Sequence, residues 1–545
     1  MAQDDDTIVQ IKSAPGVKRD GTMLEGEAYV AGQWVRFERN LPRKISGYRA
    51  INKYLSEVSR ALTAYTQDSQ TYVHSGSANL IERFVIDGLF NTSIITDRTP
   101  ASGFTADDRN MWQFDVAARL NGGVWTNKIV AQVAPNLECI CNSDGGELFS
   151  GDLLSTAALT PITLPSGASA TGGIATLHPY LFYFGNDGLI GWSVAGDPTD
   201  LSGSGSGFIS TAGQKIVRGI ALRGGPGNSP SGLFWAADAL IRASFVGGAS
   251  VFQFDTLSTQ TSIMSARSVI EYDGVFYWIG SDRFLMFNGV VREVENNFNR
   301  DWFFLNMNYS QRQKVFAFKI PRFGEIWWCF PLGESTEPNY ALIYNVRLNV
   351  WYDTELPNGG RSAGTSPTVF RKPLLTGSSA IVSAEQVRAT EDGDVRITEE
   401  GETRITEESE AVTYKLWIHE VGTDEIDGQN MQPIQSYFET ADISFPLNAP
   451  PLNRAAQVLV IEPDFVQSGD MTVQVLGRRN ARAPEVDGEM MTFPEIASDV
   501  NEQLIYLKAQ RRQLRFRFES NTLGGDYQMG VPLAHIRPGD GTSRG

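Results

Sequence analysis

One short motif in this 545-residue sequence has the pattern of a hydrolase nucleophile. Gly360–Gly364 matches G-x-S-x-G, in which a strand, a sharp turn and a helix raise the serine above a sheet. Here the motif lies in PNGGRSAGTSP, and Pro367 occupies the position where the helix would begin. Ser362 has only His419 and His535 downstream as bases. We therefore predict a turn at this motif and no nucleophile.

The cysteines and histidines do not have the spacing of a metal site. Cys139 and Cys141 alternate with Ile140 and would share one strand face, and Cys329 stands alone. No second pair of cysteines or histidines completes a set of four ligands, so we predict buried free thiols and no metal. The glycine-rich segment from Leu222 lacks the Lys-Ser/Thr of a phosphate loop. We find no catalytic constellation and predict a protein that is not an enzyme and has no cofactor.

The charge of the chain restricts its partners. The net charge of −17 would repel phosphates, which disfavours tight sequence-specific binding of nucleic acid. This negative charge remains compatible with transient, non-specific contact with DNA that has to slide past the protein without adhering. No apolar stretch approaches the roughly 20 residues of a membrane helix, and the N-terminus lacks the order of a signal peptide. We therefore predict no membrane insertion and expect the protein in a cytoplasm.

The elements that carry these residues are short strands. Leu233–Val294 contains four apolar-aromatic runs separated by turn residues such as Asp273–Gly274 and Asn288–Gly289. Such runs predict half-buried antiparallel strands. The same alternation of apolar runs and turn residues recurs in five or six units of about 40–50 residues, and a further unit could escape such a count. We predict an all-β protein built on a β-propeller of about six or seven blades.

The composition divides the chain into five segments. They are an extended N-terminal arm (1–55), the propeller blades (56–384), an acidic octapeptide-repeat insertion (385–412), a return to the propeller (413–435) and a C-terminal antiparallel β-sandwich-like domain (436–545). In the last domain, Leu514, Phe516 and Phe518 alternate with Arg515 and Arg517. The arginine face is expected either to be solvated or to pair with a neighbour.

The insertion repeats an eight-residue unit as VRATEDGD, VRITEEGE and TRITEESE. Each unit has a β-prone core followed by an acidic turn, which favours a strand-forming insertion that points into solvent. A calcium site is the alternative, but the D-x-D-x-D-G order is absent. The acidic residues that could face a surface or a lumen are Glu391, Asp392, Asp394, Glu399, Glu400, Glu407 and Glu408.

The N-terminal arm interleaves basic and aromatic residues. One interpretation is an extended segment whose aromatics dock on the main domain, and the pattern favours it. The other is a basic surface for a partner or DNA. The candidates for an assembly interface are Trp34, Arg36, Phe37, Arg43 and Lys44.

Four strings resemble a known protein family. They are PGVKRDGT followed by GQWVRFERNLPRKISGYR, then GWSVAGDPTDL from Gly191, YDGVFYWIGSDRFLMFNG from Tyr272, and LRFRFESN with YQMG and HIRPGDGTSRG at the end. In style and order they resemble the tail hub, or tail nozzle, proteins of short-tailed bacteriophages, also called packaged-DNA stabilisation proteins. The strings span nearly the whole chain.

The resemblance implies a structural protein of the virion tail, present in the host cytoplasm during assembly. Such proteins form a ring, usually of six subunits, below the portal and adaptor rings. The ring surrounds the DNA channel, retains packaged DNA and carries tail fibres, spikes or a needle. The implied partners are therefore further copies of this chain, head-to-tail adaptor or portal proteins, tail appendages and, transiently, genomic DNA.

Two other classes of function stay open. A receptor-binding or glycan-depolymerising tail protein would show paired carboxylates in a cleft and a trimeric state. A stand-alone cytoplasmic propeller, acting as an enzyme or a scaffold, would show a deep central pocket with a cluster of perturbed pKa values.

Overall fold

The computed structural model describes most of the chain. The described residues are 7–22, 27–67, 69–87, 92–102, 104, 111–121, 124–134, 146–211, 214–222, 229–378, 413–444, 455–480, 482–495 and 504–539. They form an almost entirely β structure with one short helix, α1 (Arg300–Asn306), and a few 3-10 turns. In these residues no helix has the length and apolar character needed to cross a membrane.

Seven strands precede the first consecutive four-stranded sheet. They are β1 (Thr7–Gln10), β2 (Ala14–Val17), β3 (Ala28–Tyr29), β4 (Ala31–Gln33), β5 (Val35–Glu38), β6 (Leu41–Lys44) and β7 (Tyr48–Leu55). β2 and β3 form a short parallel pair. β5 and β6 form a hairpin, and β1, β4, β6 and β7 pair with strands far away in the sequence.

Six antiparallel sheets of four consecutive strands follow. Their strands are β8 (Ala61–Gln67), β9 (Gln70–Gly76), β10 (Ile81–Ile86), β11 (Thr92–Asp97); β12 (Met111–Asn121), β13 (Val124–Ala134), β14 (Leu148–Asp152), β15 (Thr160–Ile162); β16 (Gly173–Leu177), β17 (Tyr180–Phe184), β18 (Leu189–Trp192), β19 (Gly207–Ser210); β20 (Ile216–Ala221), β21 (Ser231–Ala236), β22 (Leu240–Phe245), β23 (Phe252–Ser258); β24 (Ile270–Tyr272), β25 (Val275–Ile279), β26 (Phe284–Phe287), β27 (Val291–Glu293); β28 (Phe316–Ile320), β29 (Glu325–Phe330), β30 (Tyr340–Asn345) and β31 (Val350–Glu355).

A seventh sheet closes the ring. It contains β32 (Ala363–Thr365), β33 (Leu374–Ser378), β34 (Tyr414–His419), β35 (Glu425–Asp427) and β36 (Asn430–Gln432). Its order is β32-β33-β34-β7-β35-β36, so the N-terminal strand β7 supplies the position of a fourth strand. Because β32 contacts β8 of the first sheet, the seven sheets form a closed ring. The predicted β-propeller is confirmed, with seven blades.

The first strand of each blade lies innermost. Neighbouring blades contact each other through these strands, in the pairs β8 with β12, β12 with β16, β16 with β20, β24 with β28 and β28 with β32. The residues just before each innermost strand therefore meet at one end of the ring axis.

The blades pack on both of their faces. In the fifth blade, the Phe276 and Trp278 rings lie 5.6 and 5.8 Å from the Trp235 ring of the fourth blade. The intervening Tyr277 faces Tyr344 of the sixth blade, at 6.0 Å. These strands are thus buried on both faces, and not half-buried as their alternation suggested, because each blade is enclosed by two neighbours. The predicted Asp273–Gly274 turn connects β24 and β25 with φ of 48° and 81°.

The last ten strands form the second domain. They are β37 (Ser436–Glu439), β38 (Ile443–Ser444), β39 (Ala456–Glu462), β40 (Phe465–Ser468), β41 (Met471–Arg478), β42 (Val486–Phe493), β43 (Ile505–Arg511), β44 (Gln513–Ser520), β45 (Asp526–Met529) and β46 (Leu533–Pro538). They form three sheets, ordered β1-β46-β39-β43, β4-β37-β44-β41-β42 with β38 on β44, and β40-β45-β6-β5. Leu514, Phe516 and Phe518 of β44 are buried in the core, as their alternation predicted. On the other face Arg515 is also buried and pairs with Asp442, and Arg517 pairs with Glu439, so the arginines pair with neighbours.

The first 55 residues belong to both domains. β1, β4, β5 and β6 complete the three sheets of the sandwich, whereas β7 completes the seventh blade. The chain therefore crosses between sandwich and propeller near Tyr48, and residue 55 does not separate two units. One continuous hydrophobic core extends from Phe438 and Phe518 of the sandwich to Trp327 and Tyr352 of the sixth blade.

Candidate functional site

Trp34 lies in the junction between the two domains. Its side chain is 1% exposed, its ring contacts Tyr48 and Trp327 edge-on at 5.6 and 6.2 Å, and its Nε1 donates to the Ser46 carbonyl at 3.2 Å. Its backbone N–H donates to Thr354 Oγ1 at 2.9 Å. These contacts lie within one chain, so Trp34 joins β4 and β5 to the propeller.

Arg36 is buried beside two carboxylates. Its Nη1 donates to Glu420 Oε2 at 3.0 Å and its Nη2 to Glu325 Oε2 at 3.1 Å. Glu325 also accepts hydrogen bonds from Trp327 Nε1 and the Tyr352 hydroxyl, at 2.9 and 2.8 Å. Every oxygen of Glu325 therefore has a donor, which is what a buried carboxylate requires.

Burial and Arg36 shift the two carboxyl groups in opposite directions. Burial raises the pKa of Glu325 above its ordinary value even though Arg36 lies beside it. For Glu420 burial acts in the same sense, but Arg36 and further donors outweigh it and hold its pKa below the ordinary value. The junction is thus a buried cation between two acids, held by hydrogen bonds from both domains.

The other arm residues divide between interior and surface. Phe37 is buried with its ring 5.3 Å from Tyr352, and Lys44 donates to the Gly525 carbonyl at 2.7 Å. Burial lowers the pKa of Lys44 to about 8. Arg43 alone is partly exposed, at 28%, and pairs with Glu38 at 2.5 Å.

The predicted assembly interface is therefore corrected. Trp34, Arg36, Phe37 and Lys44 are buried against this chain's own domains, and a folded subunit cannot offer them to a partner. The contacts support the interpretation in which the arm docks on the main domain, because apolar and aromatic surface is more stable in the core than in water.

Ser362 lies at a bend directly before a strand. It is buried, its Oγ shares a hydrogen bond with Thr376 Oγ1 at 3.1 Å, and β32 follows it where a hydrolase would have a helix. The nearby His419 accepts a hydrogen bond from Arg361 Nε at 3.2 Å. Burial, with Arg361 adjacent, lowers the pKa of His419 well below its ordinary value. A turn is present at residues 357–360, where the Gly360 N–H donates to the Pro357 carbonyl at 3.1 Å, and the rest of the motif leads into a strand. His419 is occupied by its hydrogen bond from Arg361.

The thiols and carboxylates form no metal centre where the structure describes them. Cys329 is fully buried and free, and burial raises the pKa of its thiol. Cys139 and Cys141 lie outside the described residues. Within the described ranges no group of three or more His, Cys, Asp or Glu side chains could hold a metal ion.

Charged side chains on the innermost strands meet across neighbouring blades. Lys319 of β28 pairs with Glu271 of β24 at 2.9 Å. On β12, Asp115 accepts backbone hydrogen bonds from Val116 and Thr176 at 2.8 and 2.7 Å. Burial raises the pKa of Asp115, which Arg218 of β20 opposes. In the described residues, the innermost strands therefore place paired and hydrogen-bonded polar side chains near the propeller axis.

A small cavity lies at the end of the axis where the innermost strands begin. We call it the axial cavity; its volume is about 20 Å³. Its walls come from five consecutive blades, the second to the sixth. The lining residues are Met111, Trp112, Gln113, Thr171, Gly172, Lys215, Val217, Ala266, Arg267 and Gln313.

The sequence did not single out the polar residues of the axial cavity. Lys215, Arg267 and Gln313 are far apart in the chain and share no motif. Each of them comes shortly before an innermost strand, so the strand period itself was the signal that could have found them.

The acidic repeat is not among the described residues. All seven candidates from Glu391 to Glu408 fall within residues 379–412. Ser378 is the last described residue before the insertion, and Thr413 is the first described residue after it. Ser378 of β33 pairs with Tyr414 of β34. The insertion therefore connects two adjacent strands of the seventh blade.

Comparisons with known proteins identify no family. No protein-family model matches the sequence, and no curated protein matches it. Solved structures that match include that of U3-55K, at 6% identity and a TM-score of 0.37 over 68% of this chain and 98% of that one. The WD40 repeats of RRP9 match at 7% identity and a TM-score of 0.39, over 69% and 99% of the two chains. A likeness this weak carries no argument here, and the β-propeller rests on the strand order and ring closure described above.

Proposed function

We propose that this protein is a structural component of a short-tailed bacteriophage tail. In this role it forms a hub or nozzle ring, expected to contain six copies, below the portal and adaptor. The ring surrounds the DNA channel, helps to retain packaged DNA and anchors fibres, spikes or a needle. The observation that carries the proposal is the set of four strings that resemble this family and follow one another in the same order along the chain.

The position of these strings in the fold supports the proposal. Residues 32–49 hold the strands that join the sandwich to the propeller, and residues 272–289 form the central hairpins of the fifth blade. The C-terminal strings supply β44, β45 and β46 of the sandwich. The resemblance thus involves both domains and their junction, which a shared local motif would not.

Charge and axis geometry agree with DNA passing between subunits. A ring of chains that each carry −17 presents a repulsive surface to phosphates, so a genome could move through it with little adhesion. Among the described residues, Lys319 and Glu271 pair across the innermost strands of two blades, so side chains of the subunit itself occupy the propeller axis there. A DNA channel would therefore need several subunits around it.

Copy number and location in purified phage particles test the proposal. Quantitative mass spectrometry would measure the copies per virion against the portal protein, and electron microscopy of the tail would locate them. Six copies in a ring below the portal are expected. Copies in multiples of three at the periphery would overturn the hub and favour a receptor-binding or glycan-depolymerising protein. Absence from particles would overturn both.

A further inference from the structure

Two Asn-Gly pairs of the described chain lie in turns, and the fold holds their asparagines differently. Asn288–Gly289 connects β26 to β27, and Asn358–Gly359 lies between β31 and β32. A third pair, Asn121–Gly122, extends beyond the described residues. In an Asn-Gly pair the backbone nitrogen of the glycine can attack the side-chain amide of the asparagine, because glycine has no Cβ to shield that nitrogen.

Asn288 is exposed at the turn that leads to the outermost strand of the fifth blade. Within the described part of the chain, neither its side-chain amide nor the Gly289 N–H makes a hydrogen bond. Gly289 has φ of 111°, and a Cβ built there would meet no atom within 4 Å. The Asn288 amide can therefore turn towards the Gly289 nitrogen without displacing a neighbour.

Asn358 is held on both its side chain and its backbone. Its Nδ2 donates to Glu425 Oε1 at 2.8 Å, and its carbonyl accepts a hydrogen bond from Ser378 Oγ. A Cβ built at Gly359 would also meet no atom within 4 Å, so the space around the attacking nitrogen is equally open. The two pairs therefore share one chemistry and differ in how firmly the asparagine is fixed.

We infer that Asn288 is a modification site, at which the side chain loses its amide by spontaneous deamidation while the fold protects Asn358. The Gly289 nitrogen, after its proton passes to hydroxide, attacks Asn288 Cγ. The new C–N bond closes a succinimide ring, and the Cγ–Nδ2 bond breaks to release ammonia, which takes its proton from water. No group is oxidised or reduced.

Water completes the reaction by opening the ring. Attack at Cγ gives aspartate, and attack at the backbone carbonyl of residue 288 gives isoaspartate. Either product adds one carboxylate to a chain that already carries −17. Isoaspartate also lengthens the backbone between Phe287 and Val291, which are paired, so it would disturb the hairpin. The reaction needs only water and is independent of the proposed function.

The hold on Asn358 sets the size of the expected difference. Its amide must leave the Glu425 carboxylate before Cγ can meet the Gly359 nitrogen. The loss of a hydrogen bond to a charged group should slow deamidation of Asn358 by about tenfold or more relative to Asn288.

Incubation of the full-length protein in heavy-oxygen water tests this inference. The protein is kept folded at mildly alkaline pH, digested with trypsin in ordinary water and analysed by mass spectrometry with fragmentation. The tryptic peptide 284–292 contains Asn288 and no other Asn or Asp, so a heavy oxygen in that peptide reports this site alone. We expect its label to appear at least about ten times faster than label at Asn358. Equal rates, or a faster reaction at Asn358, would overturn the inference.

The same chain in concentrated urea provides the reference. Both pairs should then react at similar rates, because the hydrogen bonds that hold Asn358 are absent from the unfolded chain. If the rates differed as much in urea as in the folded protein, the fold would not be what protects Asn358. If peptide 284–292 stayed unlabelled in the folded protein while the unfolded chain was fully converted, the turn would protect Asn288 and the site would be wrongly assigned.

Asn288→Gln supplies the matched variant. The additional methylene of glutamine would require a larger ring, so label in peptide 284–292 should disappear, while label at Asn358 should stay as in the wild type. Residue 288 is exposed, so the folded variant is expected to unfold at the wild-type temperature. Undiminished label in the peptide of the variant would show that the oxygen enters by another route and would reject Asn288 as the site.

Discussion

Arg36 and Arg43 belong to the same β-hairpin and directly oppose each other across β5 and β6. Arg36 is 1% exposed and lies between Glu325 and Glu420, whereas Arg43 is partly exposed and pairs with Glu38. Removing one partner of a buried ion pair leaves a charge that neither water nor protein compensates. A surface pair loses little because water replaces the partner.

We therefore expect the same substitution to lower the free energy of unfolding by very different amounts at these two arginines. Arg36→Met should lower the free energy of unfolding by roughly 3–5 kcal/mol, because two buried carboxylates lose their cation. Arg43→Met should cost at most about 1 kcal/mol. Urea unfolding monitored by circular dichroism measures both. Equal effects of the two substitutions would show that the junction does not contribute the stability assigned to it.

The difference between wild type and Arg36→Met should also depend on pH. Arg36 holds the pKa of Glu420 below its ordinary value of 4.5. The stability from this pair is therefore fully present above that value and is lost as the pH falls through the lower pKa of the folded state. The gap between the two proteins should narrow below about pH 4.5, where protonation removes the charge that Arg36 compensates.

Sequence alone did not distinguish these residues. Trp34, Arg36, Phe37, Arg43 and Lys44 all lie in one alternation of basic and aromatic types, which suits either a surface or a docked strand. Arg36 is buried because Glu325 and Glu420 meet it there, and these partners are 289 and 384 residues away in the chain. Pairing over such distances is not contained in local spacing.

At the scale of elements, β7 closes the propeller from the other end of the chain. Arg49 of β7 pairs with Ile418 of β34, and on its other side β7 pairs in parallel with β35. The Tyr48 N–H donates towards β35, to the Asp424 carbonyl at 3.2 Å. Since successive N–H groups of a strand point in opposite directions, the Arg49 N–H points to β34.

We expect proline at residue 49 to disrupt the pairing of β7 with β34, which closes the propeller. Arg49→Pro removes the donor that pairs with β34, which should cost about 1–3 kcal/mol for the unsatisfied carbonyl, and the ring adds steric strain. Arg49→Ala keeps the backbone donor and should cost at most about 1 kcal/mol. Thermal unfolding and limited proteolysis of both variants measure the effect. If proline and alanine behaved alike, closure by β7 would not limit the stability of the ring.

The elements were predictable where their signals were local. The Asp273–Gly274 turn and the aromatic runs around it predicted the hairpins of the fifth blade, because turn chemistry is encoded in adjacent residues. The position of β7 had no such signal, since its partner β34 begins 359 residues after residue 55. Burial on both faces of the blades also required the neighbouring blades to be known.

At the scale of the whole molecule, we expect the acidic insertion to be separable from the propeller. It leaves β33 after Ser378 and returns before Tyr414, and these two residues are paired. Its ten acids and three arginines supply seven of the chain's seventeen net negative charges. The octapeptide pattern predicted an insertion. Its two ends are joined to paired residues of β33 and β34, so the insertion replaces the loop of one hairpin, a position where long loops are tolerated.

Replacement of the insertion tests this separability. A Gly-Asn-Gly linker in place of residues 379–412 should leave the fold unchanged. It should raise the free energy of unfolding by up to about 2 kcal/mol, because closing a shorter loop costs less entropy. Circular dichroism and thermal unfolding measure both effects. A loss of cooperative unfolding would mean that the insertion is part of the propeller core.

Neutralisation of the repeat tests its role in the proposed ring without changing its length. The variant replaces Glu391, Asp392, Asp394, Glu399, Glu400, Glu407 and Glu408 by Gln or Asn. If these acids face the DNA channel, virions should assemble with the normal copy number but release DNA more slowly, because the channel surface repels phosphates less. Fluorescence of an intercalating dye after receptor-triggered ejection measures the rate. The control neutralises Glu489 and Asp487 of β42 in the sandwich, which should leave ejection unchanged. Wild-type ejection from both variants would place the acidic repeat away from the DNA path.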